Sequence, residues 1–125
     1  MARADDDAVR AKLRARGAAD YIVREGAEGL LRRWREFVDA VESGYRFGLD
    51  DYRNDLDIRS LIGAVGLSAQ VAPEDERLRR LLAPAEDPVW SSDAADAFWV
   101  KGYPRNASGE LLRDLRAAGF ISGAC

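Results

Sequence analysis

At 125 residues, with 47% apolar and 33% charged side chains, the chain has the length and balance of one globular domain able to bury a core, not of a disordered segment. A net charge of −3 and a pI near 5.0 give it no uniform cationic field for nucleic acid, and no apolar run approaches a membrane span. Histidine is absent and Cys125 is the only cysteine. This excludes histidine-based catalysis, histidine- or cysteine-cluster metal sites and an intrachain disulfide.

In chain order, the first element is a short helix over about Asp6–Arg16. With only Val9 and Leu13 to bury, it is expected to fray, so residues 1–17 are read as a mobile N-terminal helix and 18–125 as a single helical domain. Its arginines are offset by Asp5, Asp6 and Asp7 and make no nucleic-acid or lipid patch.

Residues 19–43 carry the strongest pattern. At 100° steps Val23, Ala27, Leu30, Leu31, Trp34, Phe37, Val38 and Val41 share one sector, with Arg32, Arg35, Glu36 and Asp39 opposite and Ser43-Gly44 as the stop. Glu28–Arg32, Arg32–Glu36 and Arg35–Asp39 have ion-pair spacing. Gly26 and Gly29 weaken the first half, where a break is expected.

After GYRFG, a helix over about Asp50–Val65 is expected, capped by Asp50 and ended at Gly66. Ile58, Leu61, Ile62 and Val65 form one face, with Asp51, Asn54 and Asp55 on its N-terminal extension; Tyr52 and Leu56 point to the other side. Apolar residues on both flanks make this helix central. Asp55 has Arg59 four residues on as its natural partner. A further helix starts at Pro73 with Glu74, Asp75 and Glu76 in its first turn, is lined by Leu78, Leu81 and Leu82, and stops at Pro84. The last helix is capped by Ser108, carries Leu111, Leu112 and Leu115, and closes on Gly119-Phe120. No period-two run is long enough for a sheet. The fold expected is all-α, a single bundle of four to five helices with an aromatic-rich irregular segment before the last helix.

That segment, 89–105, contains Trp90, Phe98, Trp99 and Tyr103 beside Lys101 and Arg105, with Ser92 able to cap a short helix through Asp93 and Asp96 and WVKGYP extended. Aromatics on irregular backbone fill a core gap or line a site. Asn106-Ala107-Ser108 is a glycosylation sequon without a secretion signal.

The phosphate-binding glycine motifs and the G-x-S-x-G elbow are missing, and the two G-x-x-G stretches lack the basic residues of a nucleic-acid clamp. GLDDYRNDLD lacks the ligand order and the glycine of an EF-hand loop. Glu25-x-x-Glu28 followed by Asp51-x-x-Asn54 is similar in spacing to the paired acidic motifs of the all-α nucleotide pyrophosphatases. That resemblance implies a magnesium ion held against substrate phosphates. The helical wheel, however, puts Glu25 and Glu28 on the solvated face.

Two functions follow as expectations. The first is a cytosolic, bacterial, non-enzymatic protein-binding domain, an adaptor or inhibitor/immunity-like protein, with Trp90, Trp99, Lys101, Tyr103, Arg105, Asp51, Asn54 and Asp55 as binding candidates. Its partner is another protein, not nucleic acid or membrane; a homo-oligomer is compatible, and no cofactor is called for. The second is a metal-dependent enzyme or small-molecule binder with Asp51 and Asp55 as metal ligands or general base between the 19–43 and 50–65 helices.

Overall fold

The computed structural model describes residues 3–85, 99 and 102–121, with side chains from residue 6 onward. The domain is all-α with one small sheet: α1 (Arg3–Ala15), α2 (Asp20–Ser43), α3 (Leu49–Ala64), a 3-10 turn (Ser68–Val71), α4 (Ala72–Leu81), β1 (Leu82–Pro84), β2 (Gly102–Pro104) and α5 (Gly109–Ala117). Among the described residues no helix is long and apolar enough to cross a membrane.

The apolar stripe of α2 is the spine of the core. Ile22, Val23, Leu30, Trp34, Phe37, Val38 and Val41 are all buried, and Leu31 is partly so. Trp34 stacks on Phe37 at 5.0 Å between ring centroids, and Phe37 meets Tyr45 at 5.8 Å and Tyr52 at 5.7 Å. Edge and offset contacts of this kind add to the area term of burial. Among the described residues the aromatic ring contacts thus gather around the GYRFG turn. α1 docks on α2 through Val9 and the fully buried Leu13, each worth roughly 2 kcal/mol of burial.

The expected break in α2 falls at Gly26, whose φ of 66° and ψ of −151° leave the helix. Only glycine holds this conformation readily. Backbone groups released by the break find partners on α1. Arg10 Nε donates to the Val23 carbonyl at 3.1 Å and Arg10 Nη2 to the Arg24 carbonyl at 3.1 Å, while the Ala27 N–H donates to Asp6 Oδ1 at 3.4 Å. Arg10 and Asp6 are themselves paired, which fixes both side chains against the break.

The ends of α3 and α5 follow local chemistry. Leu67 N–H to the Ile62 carbonyl and Gly66 N–H to the Gly63 carbonyl close α3, and Phe120 N–H to Leu115 with Gly119 N–H to Arg116 close α5. Both are Schellman endings with glycine at positive φ. The start of α3 differs from expectation. Gly48, not Asp50, holds the cap position, and the buried Leu49 begins the helix, its N–H donating to Asp114 Oδ2 of α5 at 3.1 Å. A tertiary acceptor replaces the local one. Ser108 does precede α5, but its side chain makes no cap hydrogen bond.

Three further expectations are corrected. β1 pairs antiparallel with β2, Leu82 opposite Pro104 and Pro84 opposite Gly102, so α4 ends at Leu81 because the chain turns into a ladder before reaching Pro84. Tyr52 Oη, buried in the core, donates to the Gly102 carbonyl at 3.2 Å and ties α3 to this sheet. Of the expected surface ion pairs Arg32–Glu36 forms, at 3.7 Å, while the other two are replaced: Arg32 reaches Glu25 at 3.2 Å instead of Glu28, Arg35 faces Glu74, and Asp39 pairs with Arg77. Asp75 serves more than the helix dipole, for it turns inward and accepts from Trp34 Nε1 at 2.9 Å.

Candidate functional site

Asp55 and Arg59, four residues apart on α3, do not pair. Arg59 is buried and gives its guanidinium to Asp75, Nε to Oδ1 at 3.0 Å and Nη2 to Oδ2 at 2.8 Å, while Nη1 donates to Ser68 Oγ at 3.2 Å. Its Cζ lies 5.0 Å from the centroid of the Trp99 ring. Trp99 is therefore a core residue, 6% exposed, and not the surface anchor expected of it. Trp90, Lys101, Phe98 and the helix expected around Ser92, Asp93 and Asp96 lie outside the described residues.

Released from Arg59, Asp55 turns to the GYRFG segment, where Tyr45 Oη donates to its Oδ2 at 2.6 Å. Both residues line a groove of about 290 Å³. Its walls are Arg33, Glu36, Phe37 and Ala40 of α2, Asn54, Asp55 and Ile58 of α3, Tyr45 and Phe47 of the connection between them, and Tyr21 at the start of α2. Tyr21 and Phe47, 48% and 58% exposed, are the large apolar side chains that the described residues leave in solvent. Both stand on this one groove.

The break at Gly26 brings Tyr21 there. Residues 21 and 33 are twelve positions apart, about 18 Å along a straight helix. Arg33 Cζ nevertheless sits 4.9 Å from the centroid of the Tyr21 ring. Glu25, on the last turn before the break, accepts from Arg33 Nε at 2.9 Å and Nη2 at 3.2 Å, with Arg32 as a further partner. The hydrogen bonds from Arg33 hold the Glu25 carboxyl below its ordinary value. The two arginines therefore occupy Glu25, which is not turned toward a metal position.

Burial raises the Asp55 carboxyl above its ordinary value, and the neighbouring Asp51 charge adds to this, against the lowering effects of the Tyr45 hydrogen bond and Arg33. Burial and the bond to Asp55 push the Tyr45 phenol up as well, which keeps it a proton donor. Asp51 is exposed and acts on the groove only through its charge. Among the described residues, no three of His, Cys, Asp and Glu are grouped closely enough to hold a metal ion.

Tyr103 and Arg105 belong to a different groove, of about 410 Å³, with Arg116, Phe120 and Ile121 among its walls. The Arg105 N–H donates to the Leu81 carbonyl at 2.8 Å, and Asn106 Nδ2 donates to the Val41 carbonyl at 3.0 Å. Asn106, read from sequence as a sequon, thus caps the last turn of α2. The residues put forward from sequence accordingly divide. Asn54 and Asp55 are joined in one groove, Tyr103 and Arg105 in the other, and Asp51 lines neither.

Tyr21, Arg33, Tyr45 and Phe47 were not among the sequence candidates. The available signal was that Tyr21 and Phe47 fall outside every apolar stripe, and large aromatics excluded from a core face need another use. No protein-family model, curated protein or solved structure matches this chain.

Proposed function

We propose that this is a bacterial, cytoplasmic, non-enzymatic domain that binds another protein, as an adaptor or inhibitor does, and that the groove between α2 and α3 is its binding face. The observation that carries the reading is the placement of Tyr21 and Phe47, exposed and on one groove, beside Arg33. Tyrosine and arginine are the residue types that most often dominate interface energetics, and an aromatic left in water on a concave surface is the usual form of an anchor. At about 290 Å³ the groove is at the lower limit of ligand-enclosing pockets and is sized for one or two side chains of a partner. The same observations give the metal-dependent alternative nothing to use, since Glu25 is held by arginines and Asp55 by Tyr45.

The test is native mass spectrometry of complexes recovered with the tagged chain from its own host. The wild-type chain is expected to carry a stoichiometric protein partner. Tyr21→Ala/Phe47→Ala is expected to lose it, and Arg80→Ala, exposed on α4 and not lining the groove, to keep it. Absence of a complex with the wild type, or a complex indifferent to the double substitution, overturns the reading.

A further inference from the structure

Given a protein partner at the α2–α3 groove, the sign of the groove's charge selects what enters it. Arg33 is its one cation among the described residues, and one edge of that guanidinium, Nε and Nη2, is taken by Glu25. The negative groups around it, Asp55, Glu36 and Asp51, outnumber this cation. Tyr45 occupies only Oδ2 of Asp55, so this half-buried carboxylate is oriented by one hydrogen bond while Oδ1 has no donor among the described residues. Glu36, 68% exposed, pairs with Arg32 at 3.7 Å, and Asp51 adds its charge from the adjacent turn of α3.

The shape and lining favour one kind of cation. Phe47 makes a T-shaped contact with Tyr45 at 5.7 Å and keeps more than half its surface in solvent, which leaves ring surface for a flat group to pack on. Asn54 adds an amide carbonyl to the acceptors on the α3 wall. A guanidinium matches these features together. It is planar, stacks on aromatic faces, is weakly hydrated, and spreads its donors over several acceptors; an ammonium is compact and strongly hydrated. We infer that the groove receives an arginine side chain of the partner protein, its guanidinium hydrogen-bonded to Asp55 and packed against Phe47. This rests on the protein-binding reading and adds the chemistry of the residue recognised.

The probe is a capped pentapeptide with one central arginine, compared with the same peptide carrying citrulline, which keeps the shape and removes the charge. Amide chemical shifts of the ¹⁵N-labelled domain are followed during titration. The arginine peptide is expected to produce saturable shifts at residues 45–48 and 54–58, with an affinity on the order of millimolar for a single anchor, and citrulline to bind about tenfold more weakly. In Asp55→Asn and in Phe47→Ala the preference for arginine is expected to fall by a similar factor. Equal binding of the two peptides, no shifts with either, or an undiminished preference in Asp55→Asn overturns the inference. The comparison of peptides uses the wild-type chain, so it holds even if a variant folds poorly. If the native complex is lost with Tyr21→Ala/Phe47→Ala while the peptides do not discriminate, the protein-binding reading stands and the arginine assignment falls; if no native complex exists, the reading itself falls.

Discussion

Arg59 of α3 and Asp75 of α4 form a two-point ion pair inside the domain, Nη2 to Oδ2 at 2.8 Å and Nε to Oδ1 at 3.0 Å, with side-chain exposures of 9% and 13%. Trp34 of α2 donates to the same Oδ1, so one carboxylate joins three helices. Two charges buried together are far less costly than one left alone. Asp75→Ala is therefore expected to lower unfolding free energy by about 3–5 kcal/mol, because the guanidinium stays buried without its counter-charge. Arg59→Met/Asp75→Asn, which leaves no charge inside, is expected to recover at least about 1 kcal/mol of that loss. Urea denaturation of the two variants checks this. A double variant no more stable than Asp75→Ala would mean that the unpaired guanidinium is not the source of the loss.

The second prediction concerns Gly26. A side chain there must adopt φ near 66°, and its Cβ would come within 2.7 Å of Asp6 Oδ1 and 3.2 Å of Arg10 Nη2, the two groups that satisfy the broken helix. Gly26→Ala is expected to cost about 2–3 kcal/mol. Gly17, also at positive φ but with nothing within 4 Å, is the control; Gly17→Ala carries the conformational cost alone, about 1–2 kcal/mol. Chemical denaturation orders the two, and the Gly26 variant should also lose partner binding, because Tyr21 reaches the groove through this break.

What could be read in the sequence was whatever is local and periodic. The α2 stripe from Val23 to Val41, its break, and the glycine stops of α3 and α5 depend on neighbours within a few residues. What could not be read depends on partners distant in the chain. Spacing pointed Asp55 to Arg59, but Asp75, sixteen residues beyond Arg59, takes the guanidinium and leaves Asp55 to Tyr45. Strands of three residues have no detectable period, so β1 and β2 were hidden. The site was half visible. Asn54 and Asp55 stood out as polar residues at the edge of an apolar face, whereas Tyr21 joins them only because Gly26 bends α2, a geometry that no spacing rule supplies.

The third prediction follows from helix ends closed by distant residues. Asp114 of α5 accepts the first N–H of α3, and Asn106 donates to the last-turn Val41 carbonyl of α2. Each bond does the work of a local cap, so Asp114→Ala and Asn106→Ala are each expected to cost about 1 kcal/mol. Asp114→Asn keeps an acceptor oxygen and should lose less than half of that. Melting temperatures in one buffer distinguish them. An equal loss in Asp114→Asn and Asp114→Ala would show that the charge, and not the hydrogen bond, is what matters.

The last prediction concerns pH and Asp55. Burial raises its folded pKa above the ordinary 3.8, so the folded domain holds this proton more tightly than the unfolded chain. For an acid shifted upward, stability is highest below the unfolded value and declines as pH rises through the folded one. Ionisation leaves a partly desolvated charge at this position, and Asp55→Asn removes that charge while keeping an oxygen that can accept from Tyr45. The variant is expected to equal or exceed the wild type at about pH 7, by up to about 1 kcal/mol, and to lose this advantage as pH falls toward 4. Urea midpoints across that range measure it. A variant less stable at pH 7, with the gap closing in acid, would mean that the Tyr45 hydrogen bond outweighs the burial of the charge. A side chain whose neutral replacement stabilises the fold while weakening the complex is one kept for binding, because its charge is of use only when a cation from outside the chain meets it.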